Sequence, residues 1–267
     1  ADASTEGGGG EERGPEQSLP PAVDKRGEKL TRWSFHKREL REPLWALSSQ
    51  RGRATFSRGL RAGLHEAYFP LAEQFLTQAS PPYCGLTTLA MVLNTLNLDP
   101  NERFDEEILI NNCCQTEQEV KSHGISIEQF ASIARCHGAC VKIVRAANID
   151  EHAFRQDVIA AASSTTAPYL VASFSRSTLG QTGDGHFSPI GGYDPQTDRV
   201  LVMDVARFKY PPWYAPLPLL FEAMATMDPV TGRSRGYARV TAAHAALQTT
   251  VLRSTCNTRV DRTLSSL

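Results

Sequence analysis

One cysteine, Cys84, stands where a thiol could act as a nucleophile. Pro81 and Pro82 interrupt the chain just before it, and Gly85 follows it. Apolar residues then recur at the i, i+3, i+4 spacing of an amphipathic helix: Leu86, Leu89, Ala90, Leu93 and Leu96. This pattern places Cys84 at the N-terminal end of a helix, where the helix dipole favours the thiolate. A lone cysteine near an apolar helix is more often a core residue, so the interpretation needs a base elsewhere in the chain.

Among the seven histidines, His186 has the position that best suits such a base. Gly183 and Gly185 precede it in the segment 182–188, and a predicted strand follows. Glycines at these positions let the backbone and a substrate approach each other closely. We therefore predict that His186 faces Cys84 and takes up its proton.

A predicted β-hairpin brings an acid to the same place. Turn-forming residues at 194–198 separate two apolar runs, 187–193 and 200–206. With the turn centred near residue 196, antiparallel pairing puts Asp204 opposite or diagonal to His186, on the same face. A carboxylate inside an apolar strand is unfavourable unless it is paired, and a histidine that it orients is a natural partner. The alternative is that Asp204 only ends its strand by hydrogen-bonding a turn.

The elements that must position these three residues are helical in the first half of the chain and extended in the second. Further predicted helices cover residues 56–75, 104–110, 127–137 and 217–227. Predicted strands cover residues 139–144, 169–174, 187–193 and 200–206. The stretch 115–124 is polar and is predicted to be partly loop. This order indicates an α+β fold with two lobes, a helical lobe followed by an antiparallel sheet lobe, rather than alternating βαβ units.

Composition sets the domain limits and excludes some classes of protein. Residues 1–32 carry four consecutive glycines, many charges and few large apolar side chains, which predicts a disordered extension before a domain at 33–245 and a tail at 246–267. A net charge of −1 argues against nucleic-acid partners and anionic membranes.

A membrane span is not predicted either. No apolar run approaches the ~18 residues that a membrane span needs, and the sequence shows no apolar core of a signal peptide. We expect a cytoplasmic protein.

The six cysteines have two possible interpretations. Cys113-Cys114, Cys136 and Cys140 could bind a soft metal as thiolates. Adjacent cysteines suit tetrahedral coordination poorly and no CxxC pair is present, so small buried hydrophobes are the favoured alternative. A chain of this length does not need disulfide staples, so we expect the cysteines to be mostly reduced.

Several segments together resemble the phytochelatin synthases. The similar segments are 78–86 around Cys84, 185–193 around His186, 204–212 after Asp204, the Cys113-Cys114 pair and 231–236. The resemblance covers roughly residues 50–240 in the same order and spacing. It implies a papain-like, two-lobed fold and a transfer of γ-glutamylcysteine between glutathione molecules.

The resemblance also implies a role for each residue of the triad. Cys84 would attack the Cys–Gly bond of glutathione, glycine would leave with a proton from His186, and a second glutathione or a growing phytochelatin would take up the acyl group. Papain-like enzymes place a glutamine six residues before the cysteine, so Gln78 would donate to the oxyanion together with the backbone N–H of Cys84. By itself Gln78 would be read as a solvated loop residue.

Substrate contacts are implied by the same comparison. Asp228 and Arg235 match a family pair suited to the α-amino and α-carboxylate groups of the γ-glutamyl residue. Arg207 suits the carboxylates of the second glutathione, since a guanidinium binds carboxylate in bidentate fashion. Tyr83, beside the nucleophile, belongs to the same substrate-binding set. The alternative for each charged residue is a surface salt bridge.

Metal enters through the substrate in this interpretation. The resemblance implies activation by heavy-metal ions such as Cd²⁺ and Zn²⁺, carried as glutathione thiolate complexes, with no built-in cofactor and no metal site in the protein. The longer family members have a cysteine-rich C-terminal region, whereas only Cys256 follows residue 140 here. Glutathione, phytochelatins and heavy-metal ions are the expected partners, and the oligomeric state is left open, a homodimer included.

Three other functions compete with transfer. The first is a hydrolase that releases glycine from glutathione or its S-conjugates. Arg207, Lys209 and Tyr210 after the aspartate favour transfer over this alternative. The second is a non-catalytic metal-binding protein, against which the missing CxxC pair argues. The third is an ordinary papain-like protease, which would usually carry a secretion signal and structural disulfides.

Overall fold

A central antiparallel sheet organises the chain in the computed structural model, which describes residues 38–101, 103–111 and 117–243. The predicted N-terminal extension at 1–32 and the C-terminal tail at 246–267 lie outside the described residues. All described residues belong to one compact unit.

Helices α1–α6 precede most of the sheet, and α7 and α8 lie between its strands in sequence. Within the described ranges the helices are α1 Gln50–Arg61, α2 Tyr68–Glu73, α3 Cys84–Thr95, α4 Glu106–Asn111, α5 Glu117–His123, α6 Ile127–Cys136, α7 Glu151–Ala162 and α8 Leu217–Ala225. The strands are β1 Trp45–Ala46, β2 Ala139–Arg145, β3 Tyr169–Ser175, β4 Gly185–Asp194, β5 Arg199–Val202, β6 Trp213–Pro216, β7 Met227–Asp228, β8 Arg233–Ser234 and β9 Gly236–Ala242.

Seven of these strands form one sheet in the order β1-β6-β5-β4-β3-β9-β2, and every neighbouring pair is antiparallel. β7 and β8 pair separately as a short hairpin. Because side chains alternate along a strand, β3 contributes Val171 to an apolar cluster with α2–α6 and Ala172 to a second cluster with α7 and α8. Helices therefore cover both faces of the sheet.

The α+β prediction is confirmed, and the hairpin register is close to the predicted one. β4 pairs with β5 through Asp194 opposite Arg199, which centres the turn between residues 196 and 197. A bulge interrupts the pairing between Ile190 and Gly192. β5 ends at Val202, so the prediction of a strand through residue 206 is wrong and Asp204 follows the strand instead.

Other predictions differ from the structure in instructive ways. The single helix predicted over 56–75 is two helices, because Gly63 adopts a positive φ of 66° and turns the chain between them. The stretch predicted to be partly loop contains α5. Helix α7 was not predicted, although its N-cap Asp150 accepts a hydrogen bond from the Ala153 N–H at 2.8 Å. Strand β9 was also not predicted, and it separates β3 from β2.

The described helices are also short. In the part of the chain that the structure describes, none combines the length and apolar character that crossing a membrane requires.

Candidate active site

Cys84 is the first residue of α3, directly after the short 3₁₀ turn Pro81–Tyr83. Its thiol is free and buried. Burial alone would raise the pKa of Cys84, but the charge of His186 and a hydrogen bond with that ring act in the opposite direction. A hydrogen bond from the Phe187 backbone and the charge of Arg176 lower it further. The pKa of the thiol is therefore below its ordinary value, as an activated nucleophile requires.

His186 lies near the start of β4 with its ring almost fully buried. Its Nε2 is 3.0 Å from Oδ1 of Asp204, so the predicted contact between these two residues is present. Since Nε2 faces the carboxylate, Nδ1 is the ring nitrogen left to contact the Cys84 thiol. The edge of the Phe174 ring, with its centroid 5.5 Å from that of the imidazole, holds the histidine in this orientation.

Asp204 is fully buried and accepts hydrogen bonds from four groups. Besides His186, the donors to Asp204 are the Arg176 guanidinium at 2.8 Å, the Ala206 backbone N–H at 2.9 Å and the Trp213 indole N–H at 2.9 Å. Burial would raise the pKa of this carboxyl, but the charges of Arg176 and His186 outweigh it and hold the pKa far below its usual range. The site thus contains a permanently ionised acid.

Arg176 and Trp213 are the two members of this network that the sequence did not reveal. Arg176 follows β3 and is 2% exposed, so its charge depends on Asp204 for compensation. Its guanidinium also donates to Gln181 and stacks over the Tyr210 ring, 5.1 Å from the ring centroid. No spacing rule links an arginine after one strand to an aspartate after another. In the sequence, only the apolar neighbours of Asp204 indicated that its carboxylate needs further hydrogen-bond partners.

Gln78 lies in the loop before the 3₁₀ turn and is buried. Its side-chain N–H groups donate to the carbonyls of Ser80 at 2.9 Å and Pro81 at 3.0 Å, and its Oε1 has no hydrogen-bond partner in the described part of the chain. Its backbone N–H donates to Val205, which ties the nucleophile loop to the residue after Asp204. The oxyanion role of Gln78 therefore stays a prediction, and it requires one side-chain N–H to leave its carbonyl.

A cavity of about 420 Å³ opens beside the nucleophile. Cys84, Gly185, Phe187, Asp228 and Arg235 are among the residues that line it. Both charged side chains are more than nine-tenths buried, and the Nε of Arg235 has no partner among the described residues. Asp228 and Arg235 thus line the same cavity as Cys84, and their role in substrate binding stays a prediction. A cavity of this size, lined by side chains of both charges, suits a small zwitterionic peptide.

Arg207 and Tyr83 do not line that cavity within the described part of the chain. The Arg207 guanidinium stacks over the ring of Phe75, 4.8 Å from its centroid, on an exposed surface. Tyr83 is buried in the 3₁₀ turn, where its carbonyl accepts a hydrogen bond from Thr87 at 2.9 Å.

The cysteines divide into several environments. Cys84 and Cys136 are free, whereas Cys140 is disulfide-bonded, so the expectation of a reduced thiol is wrong for Cys140. Cys113, Cys114 and Cys256 lie outside the described residues. Among the residues that the structure does describe, no group of three or more histidine, cysteine or acidic side chains is placed to hold a metal ion.

Comparisons with known proteins point in one direction. The family model described as Phytochelatin synthase matches residues 35–237. The chain is 39% identical over 222 residues to the glutathione gamma-glutamylcysteinyltransferase of Schizosaccharomyces pombe, covering 80% of this chain and 53% of that protein. It is 43% identical over 202 residues to glutathione gamma-glutamylcysteinyltransferase 3 of Lotus japonicus, covering 73% of this chain and 42% of that protein.

The chain therefore spans about half the length of the curated relatives it matches. A solved double glycine motif protease from an AMS/PCAT transporter, in complex with the leader peptide, superposes with a TM-score of 0.39 at 14% identity. That match covers 62% of this chain and 87% of the other, and a similarity at this level carries no argument about this protein.

Proposed function

Because this chain belongs to the phytochelatin synthase family, we propose that it transfers γ-glutamylcysteine from glutathione to a second glutathione or to a phytochelatin, releasing glycine. The observation that carries the proposal is one arrangement. A thiol of lowered pKa contacts a histidine that an ionised aspartate orients, and the thiol lines a cavity whose charged residues include Asp228 and Arg235.

The first half of the reaction forms an acyl-enzyme. The Cys84 sulfur attacks the carbonyl carbon of the Cys–Gly bond, and the bond to the glycine nitrogen breaks as His186 protonates that nitrogen. Asp204 keeps the imidazole in the orientation in which its Nδ1 faces the sulfur. Glycine leaves, and a thioester joins γ-glutamylcysteine to Cys84.

The second half returns the enzyme to its starting state. The α-amine of an incoming glutathione or phytochelatin attacks the thioester, His186 takes up a proton from that amine, and the thiolate of Cys84 leaves. If water attacks instead, the product is γ-glutamylcysteine. This hydrolysis is the second candidate function, and it uses the same buried triad.

Charge complementarity orients the donor. Asp228 supplies a carboxylate for the α-ammonium group of the γ-glutamyl residue, and Arg235 supplies a guanidinium for its α-carboxylate. The unpartnered Nε of Arg235 is a donor that such a carboxylate would satisfy. The developing oxyanion would receive hydrogen bonds from the backbone N–H of Cys84 and from Gln78 once its amide turns towards the site.

The residues proposed to bind the acceptor are more exposed than Asp228 and Arg235. We propose that Arg207 and Lys209 attract the carboxylates of the incoming peptide, with Tyr83 close to the nucleophile. Cd²⁺ or Zn²⁺ would arrive as a thiolate complex of glutathione, since soft ions favour thiolate ligands, and would thus be part of the substrate. The proposal includes the papain-like arrangement in two lobes and a cytoplasmic location, where glutathione is abundant.

The test uses the 267-residue chain with millimolar glutathione, with and without Cd²⁺, and follows the thiol products by chromatography and mass spectrometry. Cys84→Ala runs beside it, and Cys136→Ala is the matched control because Cys136 is a free, exposed thiol away from the site. We expect oligomers of γ-glutamylcysteine that end in glycine, from the unmodified chain and from Cys136→Ala but not from Cys84→Ala.

Two other outcomes have distinct meanings. Formation of γ-glutamylcysteine and glycine alone would assign hydrolysis to the same site. If no glycine is released under either condition and no acyl group can be trapped on Cys84, the proposed function is wrong.

A further inference from the structure

Glu106, in the first turn of α4, contacts two segments of the candidate active site, although the reaction above gives it no role. Its Oε1 accepts hydrogen bonds from the backbone N–H of Ala79, at 3.1 Å, and from the hydroxyl of Thr87. Ala79 directly follows Gln78 in the loop before the nucleophile. Thr87 lies in α3, in the same helix as Cys84 and close behind it. A single carboxylate oxygen therefore joins the loop to the nucleophile helix.

The backbone of this loop is held at two consecutive residues. The N–H of Gln78 donates to the Val205 carbonyl at 3.0 Å, and the N–H of Ala79 donates to Glu106. The first bond ties the loop to the residue after Asp204, and the second ties it to α4. Ala79 itself is exposed, so without Glu106 its N–H would be hydrated and the loop would lose the second of these two attachments.

The link matters because the two groups expected to donate to the oxyanion lie on the two segments that Glu106 joins. The Gln78 amide belongs to the loop, and the backbone N–H of Cys84 belongs to the start of α3. A developing oxyanion is fully stabilised only when both donors lie at hydrogen-bond distance from it. A shift of either segment relative to the other therefore slows the reaction without removing any reacting group.

We propose that Glu106 is a positioning residue, which sets the Gln78 amide against the backbone N–H of Cys84 and thereby supports formation of the acyl-enzyme. This inference rests on the proposed function. Glu106 is not among the described residues that line the cavity beside Cys84, so it has no contact with the donor in this role. Its carboxylate acts as a hydrogen-bond acceptor for two protein groups.

Two properties of this role can be measured. Because the oxyanion exists only in the transition state and the intermediate, losing the link should lower the maximal rate of acylation and leave the glutathione concentration for half-maximal acylation unchanged. Because both hydrogen bonds end on one oxygen, a glutamine at position 106 can still accept them. A methionine has a similar length but lacks a strong acceptor, so it should break the link.

The test is rapid-quench measurement of the first equivalent of glycine released per Cys84 over a range of glutathione concentrations. Glu106→Met should lower the maximal rate about tenfold, which is less than the loss typical of removing an oxyanion donor outright. Glu106→Gln should stay within about threefold of the unmodified chain, because it keeps the acceptor. Glu107→Met is the matched control, since Glu107 lies in the same helical turn and is exposed, and it should leave the rate unchanged.

A double variant tests whether Glu106 acts through Gln78. Gln78→Ala alone should lower the maximal rate about 10²-fold. Adding Glu106→Met to Gln78→Ala should cost less than about twofold more, because the amide that Glu106 positions is already gone. Thr87→Val removes the hydroxyl whose hydrogen is shared between Glu106 and the Tyr83 carbonyl. It should also lower the maximal rate, with the half-maximal concentration unchanged.

Several results overturn the inference and leave the proposed function intact. An unchanged maximal rate in Glu106→Met is one, and an equal loss in Glu106→Gln or Glu107→Met is another. A full tenfold loss on top of Gln78→Ala also overturns it, because Glu106 would then act independently of that amide. So does a Gln78→Ala variant that keeps the maximal rate, since no donor would then need positioning. If the unmodified chain releases no glycine, the proposed function fails first and this inference fails with it.

Discussion

Two buried histidines, His186 and His65, have opposite surroundings. His186 contacts a carboxylate and a thiol, and Arg176 compensates the negative charge beside it. His65 is 0% exposed and contacts a phenol, with its Nε2 2.6 Å from the hydroxyl of Tyr214. Both rings are as inaccessible as core leucines, so burial alone does not separate the two.

The packing around His65 is that of a structural residue. A Cβ on Gly59 would meet the ring at 2.1 Å and a Cβ on Gly192 at 2.4 Å, so these glycines make room for the imidazole. The Phe56 ring packs edge-on with its centroid 4.8 Å away. Burial lowers the pKa of His65 to about 4, although the Gly59 backbone and the charge of Asp194 oppose this. The ring is therefore neutral at neutral pH.

The difference shows that the hydrogen-bond partner of a buried imidazole determines whether the ring can carry a proton. A carboxylate stabilises an imidazolium, which allows His186 to take up and return a proton. A phenol gives no such stabilisation, and His65 works as a hydrogen-bonded core residue. Four predictions test this contrast, and they run from the largest expected effect to the smallest.

Replacing His186 should affect catalysis far more than stability. His186→Gln removes the proton acceptor and should slow the first release of glycine by about 10³-fold, within the range typical of general acid–base groups. His65→Gln is the matched control and should stay within about twofold of the unmodified chain per folded molecule. The measurement is rapid-quench glycine release. Equal losses in both variants would contradict the contrast.

Truncating His65 should affect stability far more than catalysis. His65→Ala leaves a cavity and leaves the hydroxyl of Tyr214 without its hydrogen-bond partner. Together these effects should lower the free energy of unfolding by roughly 3–4 kcal/mol. Urea unfolding at pH 7.5 measures this loss, and activity of the folded fraction is recorded alongside. A decrease in the free energy of unfolding of less than about 0.5 kcal/mol is the effect of an ordinary surface substitution. Such a result would show that neighbouring residues fill the space left by His65.

The neutral His65 should make the protein sensitive to acid. Its pKa is lowered from 6.5 to about 4 on folding, so the unfolded chain binds more protons between these values and stability falls as the pH drops from 6.5 towards 4. The full contribution is about 3 kcal/mol, present above pH 6.5. Urea unfolding between pH 7.5 and 4.5 should show this slope, and His65→Leu should reduce it. An unchanged slope in His65→Leu would assign the acid sensitivity to other groups.

The smallest effect belongs to the hydroxyl that faces His65. Tyr214→Phe removes one buried hydrogen bond and should lower the free energy of unfolding by about 1 kcal/mol. Glycine release should stay at the level of the unmodified chain, because Tyr214 contacts none of the triad. Thermal unfolding compares this variant with His65→Ala. A larger loss than that of His65→Ala would mean that the phenol, not the imidazole, organises this part of the core.

Local patterns allowed much of the arrangement of Cys84, His186 and Asp204 to be predicted. The prolines and apolar spacing around Cys84 correctly indicated a helix that begins at the cysteine. The turn at 194–198 set the register closely enough to predict the contact between His186 and Asp204, even though Asp204 lies beyond the end of its strand. Such features are determined by neighbouring residues, because turn chemistry and helix periodicity act over a few positions.

The sequence did not reveal which distant groups surround the site. Arg176 and Trp213 reach Asp204 only because β3 and β6 lie on either side of the β4–β5 hairpin. Strand β9, which was not predicted, pairs with β3 directly after Arg235, which lines the cavity.

The sequence by itself determined that Cys84 begins a helix and that His186 and Asp204 come into contact. Only the tertiary structure decided which histidine is charge-paired and which is packed among glycines. The physical reason is that the environment of a buried polar group depends on chain segments far apart in sequence. These segments come together only when the sheet forms.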